Sequence, residues 1–112
     1  MEELTTPAIL RPEFTHLDTL NAHEFQERYG PAAENKRIIL IDMSLVQYVD
    51  SSGLGAMLTM VRETLSRGGR IAICAAQPSV SVLFRMVKLS KLLPIFETLD
   101  QGRSWAAGAA SA

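Results

Sequence analysis

Residues Arg37 to Ala76 read RIILIDMSLVQYVDSSGLGAMLTMVRETLSRGGRIAICAA, and this stretch decides the fold. Arg37 to Met43 is a nearly continuous apolar run, and Arg70 to Ala76 repeats the pattern straight after Gly68-Gly69. Such runs suit strands buried on both faces, because a strand with one wet face would alternate. Between them Leu54, Met57, Leu58, Val61 and Leu65 recur at helical spacing and predict one buried helix face. Ser51 and Ser52 offer N-cap oxygens to that helix, and Gly68 offers a C-cap. Strand, helix and strand in this order make a right-handed crossover between parallel strands.

Working outward, Asn21 with Glu24 three residues on resembles a capping box and opens an earlier helix. Leu20, Phe25 and Tyr29 would face the core from it. A third helix runs from about Pro78 to Lys88, with Val80, Leu83, Phe84 and Val87 as its apolar stripe and Pro78 suited to the first turn. Pro94 to Thr98 (PIFET) is a further strand candidate. Ala8 to Leu17 could be one strand, but Pro12 cannot donate to a ladder, so residues 1–16 read as an edge segment. The tail, Ser104 to Ala112, is low in complexity and is expected to fray, with Trp105 as its one anchor. The whole predicts a single α/β domain over residues 1–112. Its central sheet is mostly parallel, of about four strands, with helices packed against it and Ile38–Met43 beside Ile71–Ala75 in the middle.

Composition narrows the function classes. A chain of 112 residues suits one domain with one core, not a separate substrate domain. The net charge is −1 and no dense Lys/Arg run occurs, so neither nucleic acid nor an anionic membrane is an expected partner. Cys74 is the single cysteine, so no internal disulfide can form, and its apolar setting predicts a buried thiol. The N-terminus lacks a signal-peptide pattern, and no apolar run approaches the ~20 residues of a membrane helix. A cytoplasmic location is the expectation.

Enzyme motifs fail. There is no GxxxxGK[ST] loop and no GxSxG elbow, and Leu58 stands where a dinucleotide fingerprint begun at Gly53-Leu54-Gly55 needs its third glycine. His16 and His23, with one distant cysteine, make no metal set, and read as solvated histidines. Asp42, Asp50 and Glu63 have no spacing that makes an acid/base pair. No catalytic residue, metal or cofactor is therefore expected. What remains is Tyr48-Val49-Asp50-Ser51-Ser52-Gly53-Leu54-Gly55, which on residue chemistry alone reads as a strand-to-helix turn with capping Asp and Ser and a Gly at the bend.

The same stretch resembles the STAS domain of anti-sigma-factor antagonists, the phosphorylatable component of bacterial partner-switching systems, whose D-S-[ST]-G-[LI]-G motif opens a helix. Ile38 to Val49, Gly68 to Cys74 and Pro78 to Met86 resemble the family's neighbouring strand, glycine turn and third helix, and Leu17-Asp18 resembles the Leu-Asp ahead of its first helix. The resemblance covers about Leu17 to Leu99. It implies phosphorylation at Ser51, and a partner-binding surface drawing on Asp18, Asp50, Ser52, Gly53, Leu54 and Gly55. It implies a histidine-kinase-like serine kinase as the anti-sigma partner, bound when Ser51 is free and released when Ser51 carries phosphate, so that binding frees a sigma factor. A PP2C-type phosphatase would reset the switch. The chain departs from the family in having Thr15-His16 where Gly precedes the Leu-Asp. Only 16 residues lie ahead of Leu17, so one N-terminal strand is expected to be missing or very short.

Two other functions fit the residues. The same switch could serve a non-sigma output, such as secretion, a signalling enzyme or a stress scaffold. A small-ligand or nucleotide-binding module could instead use Gly53 and Gly55 at the helix start, which favours anions. Ser52, one residue into the turn, is expected to cap backbone N–H groups, leaving Ser51 available.

Overall fold

In the computed structural model, residues 6–111 are described, with side chains through residue 109. Among the described residues six strands and four α-helices follow in order: β1 Ala8–Leu10, β2 His16–Leu17, α1 Ala22–Glu34, β3 Ile38–Asp42, β4 Tyr48–Val49, α2 Ser51–Ser66, β5 Arg70–Cys74, α3 Pro78–Met86, β6 Ile95–Phe96 and α4 Leu99–Ser111. A 3-10 turn, Leu89–Lys91, lies between α3 and β6. The main sheet has order β1-β3-β5-β6, and each neighbouring pair is parallel. β3 and β5 lie side by side at its centre, with Ile39 opposite Ile71 and Ile41 opposite Ile73.

The continuous apolar runs have their predicted cause. Ile39, Ile41, Ile71 and Ile73 point into a core filled from α1 by Phe25 and Tyr29, from α2 by Met57 and Val61, and from α3 by Val80 and Phe84. Ile38, Leu40, Ala72 and Cys74 point the other way, against Ala106 and Ala109 of α4. Three helices thus cover one face and one helix covers the other. Where the tail is expected to fray, the chain is helical through Ser111, and Trp105 lies tilted against Phe96 with ring centroids 6.0 Å apart.

Several local expectations are corrected. The segment Ala8 to Leu17 breaks around Pro12 into two strands in different sheets: β1 edges the main sheet, and β2 forms a separate two-stranded parallel ladder with β4. Both N-terminal strands are present and short; residues 1–5 of the expected edge segment lie outside the described residues. The buried stripe of α2 is rotated from the leucines. Gly53, Ala56, Met57, Met60, Val61 and Thr64 are buried, whereas Leu54, Leu58 and Leu65 are half-buried at its flank. Small side chains let the helix axis approach the neighbouring elements, and the larger leucines wedge in from the side. Thr64 is tolerated in the core because its hydroxyl donates to the Met60 carbonyl at 2.8 Å.

Both ends of α2 are fixed locally. At the C-terminus Gly68 adopts φ 80°, and the Gly68 and Gly69 N–H groups donate to the Leu65 and Thr64 carbonyls at 3.0 and 2.9 Å. This is a Schellman stop, which turns the chain directly into β5. At the end of β3, Asp42 is buried and accepts from Arg11 Nε and Ser44 N, each at 2.9 Å, tying the exit of β1 to the sheet centre. Burial alone would raise the Asp42 pKa, but the Ser44 bonds and the Arg11 guanidinium outweigh it and hold the carboxyl below its usual range.

Candidate functional site

The β2–β4 ladder brings two loops together at the start of α2. Leu17 pairs with Val49, so the turn after β2, Asp18 to Asn21, meets the residues after β4, Asp50 to Gly53. Asp50 is the N-cap of α2, with extended backbone and one carboxylate oxygen accepting from Gly53 N at 2.9 Å. Its second oxygen accepts from the Thr19 backbone N–H at 3.2 Å and from the Thr19 hydroxyl at 3.1 Å. The Thr19 hydroxyl also lies 3.1 Å from Ser52 Oγ.

Asp50 therefore performs the capping expected of Ser51 and Ser52, and the Ser52 hydroxyl turns sideways to Thr19. A carboxylate is the stronger acceptor, and its charge suits the positive helix end. The Gly53 N–H, followed by the Thr19 donors, holds the Asp50 carboxyl below its usual 3.8.

Ser51 occupies the first residue of α2 and is exposed. Among the described residues no hydrogen bond engages its hydroxyl. Gly53, expected at the surface, is buried: a Cβ there would lie 2.0 Å from the Leu17 carbonyl oxygen. The bend residue is thus glycine because the first turn of α2 is pressed onto the backbone of β2. Gly55 is different, being exposed with nothing within 4 Å of a built Cβ. Leu54 is half-buried against the core.

Asp18 is half-buried and spends its carboxylate on its own turn, accepting from Leu20 N at 3.0 Å. Asn21 does not close a capping box. Its side chain accepts from Asp18 N at 2.9 Å and donates to the His16 carbonyl. Leu20, expected in the core, is 94% exposed. The residue that joins this turn to the helix start is Thr19, which the sequence reading overlooked. A threonine beside the Leu-Asp carries no periodic or spacing signal, and only the β2–β4 pairing places it.

Among the described residues no three His, Cys, Asp or Glu side chains gather to hold a metal ion. His16 lies against Tyr48 with ring centroids 5.8 Å apart, and His23 lies 3.0 Å from Glu27, both histidines being exposed. Two surface grooves among the described residues lie away from Ser51. One runs between α1 and α2 past Gln26, Glu63 and Arg67, and another runs between α3 and β6 past Phe84 and Phe96. No helix among the described residues is long and apolar enough to cross a membrane.

Comparison with known proteins places this geometry. An anti-sigma F factor antagonist of Paenibacillus polymyxa is 36% identical over 59 residues, 53% of this chain and 50% of that protein. The chain thus spans about half the length of that curated relative. Solved structures share the fold. A sulfate transporter family protein from Wolinella succinogenes superposes with TM-score 0.81 at 13% identity, over 95% of this chain and 88% of that one. The anti-sigma factor antagonist SpoIIAA in its unphosphorylated form superposes with TM-score 0.65 at 21% identity, over 91% of this chain and 90% of that one. The STAS domain family matches residues 2–102, which takes in the main sheet, the Asp50–Gly55 turn and the start of α4, and the chain belongs to that family.

Proposed function

We propose that this STAS domain is a phosphorylation-switched protein-binding module in which Ser51 is the switch. The observation that carries the reading is the division of labour at the start of α2. Asp50 caps the helix, Ser52 engages Thr19 and Gly53 packs on Leu17, while the exposed Ser51 hydroxyl is engaged by no hydrogen bond among the described residues. The name of the Paenibacillus polymyxa relative supports an anti-sigma-factor antagonist role. In that role the unmodified domain binds a histidine-kinase-like serine kinase that is also the anti-sigma factor, and binding frees the sigma factor. Phosphorylation ends the binding, and a PP2C-type phosphatase restores it.

The magnitudes favour a change of partner over a change of fold. A phosphoryl group brings roughly −1.5 to −2 charges at pH 7. The helix N-terminus favours a negative charge by about 0.3–1 kcal/mol, and the ionised Asp50 next to it opposes the addition. At an interface the same charge against a neutral or acidic surface costs several kcal/mol, and each ~1.4 kcal/mol is tenfold in affinity.

The nucleotide-binding alternative loses its footing at Gly53. The space above that glycine is filled by the Leu17 carbonyl, so it is no cradle for a phosphate. Titration of the kinase captured by the Ser51→Ala form, using wild-type domain and domain carrying phosphoserine at position 51, tests the reading. Tight binding of the first and loss of at least tenfold in the second is the expected pair. Equal affinities would remove the switch.

A further inference from the structure

Among the described residues Leu20 is the most exposed of the large apolar side chains, at 94%, yet the turn that carries it is held by a set of hydrogen bonds. Asp18 accepts from Leu20 N through its carboxylate, and from Asn21 N and Ala22 N through its carbonyl at 3.2 and 2.8 Å. Asn21 ties Asp18 N and the His16 carbonyl, and Thr19 is clamped to Asp50 through both its N–H and its hydroxyl. The backbone on either side of Leu20 is therefore fixed while its isobutyl group stands in water. A flexible turn would let that group fold back onto the core, and these bonds oppose it.

We propose that Leu20 is the apolar anchor with which the domain docks into a pocket of its kinase partner. The inference rests on the functional reading above. Two observations select this occupant. The first is continuity: the Thr19 hydroxyl bonds to Asp50 and lies 3.1 Å from Ser52, the two neighbours of Ser51, so anchor and switch share one rigid surface. A partner that reads the phosphorylation state of Ser51 must cover this turn. The second is charge. The turn carries the carboxylates of Asp18 and Asp50, and among the described residues neither forms an ion pair with Lys or Arg. The complementary surface is thus an apolar pocket whose rim is free of acidic groups.

A rigid, preorganised apolar anchor loses little ordering entropy on docking, which is what makes a single side chain a hot spot. Leu20→Ala and Leu20→Met domains, titrated against the kinase that phosphorylates Ser51, test the assignment. Leu20→Ala is expected to weaken binding tenfold or more with an unchanged unfolding midpoint, because the side chain is in water in the free domain. Leu20→Met, which keeps a long apolar group, is expected to stay within a few-fold of the wild type. Equal binding by wild type and Leu20→Ala overturns the anchor alone. Failure of the wild type to bind the kinase overturns the functional reading and the anchor with it.

Discussion

Gly53 sits so close to Leu17 that a Cβ built on it would lie 2.0 Å from the Leu17 carbonyl oxygen and 2.6 Å from its carbonyl carbon. Neither atom belongs to a flexible side chain. Gly53→Ala must therefore push the first turn of α2 off β2, and overpacking of this kind costs about 1–3 kcal/mol or more. Denaturant unfolding should show the midpoint falling accordingly. An unchanged midpoint would mean that this contact does not position the switch.

Gly55 makes the opposite case two residues later. No atom lies within 4 Å of a Cβ built there, so the fold does not require glycine. Gly55→Ala is expected to stabilise the free domain by about 0.5–1 kcal/mol, the cost of glycine inside a helix. If Gly55 is kept bare for a partner's close approach, the same variant should bind the kinase more weakly than wild type. Thermal unfolding and a binding titration on one sample measure both effects.

The two glycines show how far the sequence could be read. Strands β3 and β5 are legible because a run such as residues 38–41 is apolar at every step only when both faces are covered. That reading carried a consequence for the tail. The second face needs a cover, and Ala106 and Ala109 of α4 supply it. The alanine-rich segment looked too weak to anchor because its small side chains bury little area each, but they let the helix settle against the sheet. The buried face of α2 was misplaced for the same reason: leucine signals hydrophobicity, while Ala56 and Gly53 mark where the packing is closest. Leu20 reads as a core residue of the first helix, but the bonds of Asp18 and Asn21 hold it in the turn ahead of that helix, in water. The β2–β4 ladder, two residues per strand, is too short to show any period, and Thr19 depended on it.

Asp50 links the helix cap to the Thr19 turn, and its ionisation should show in the pH dependence of stability. Its folded pKa lies below the usual 3.8, chiefly through the Gly53 N–H, so its contribution is present above that pH and is lost as the pH falls below it. Asp50→Ala should lower the unfolding midpoint at pH 7, and the gap to wild type should narrow as the pH drops below 3.8. Asp50→Asn, which keeps an acceptor for Gly53, should recover part of the loss. A gap independent of pH would show that the charge plays no part.

Cys74 is buried between the sheet and α4, and burial, with the nearby Asp42 carboxylate, pushes its thiol pKa up to about 11. The thiolate is the reactive form, so the native protein should resist disulfide reagents at pH 8. Full reaction is expected only in denaturant, where the thiol pKa returns to about 8.5. Rapid labelling of the native domain would mean that α4 opens readily.

Ser51 itself carries the central claim. Its hydroxyl is exposed at the first residue of α2, whereas Ser52 is engaged with Thr19. Mass spectrometry of the domain after incubation with its cognate serine kinase and ATP reads the site directly. A single phosphate on Ser51, absent from the Ser51→Ala form and retained by Ser52→Ala, is the expected result. Phosphate on Ser52, on another residue, or on none would contradict the account.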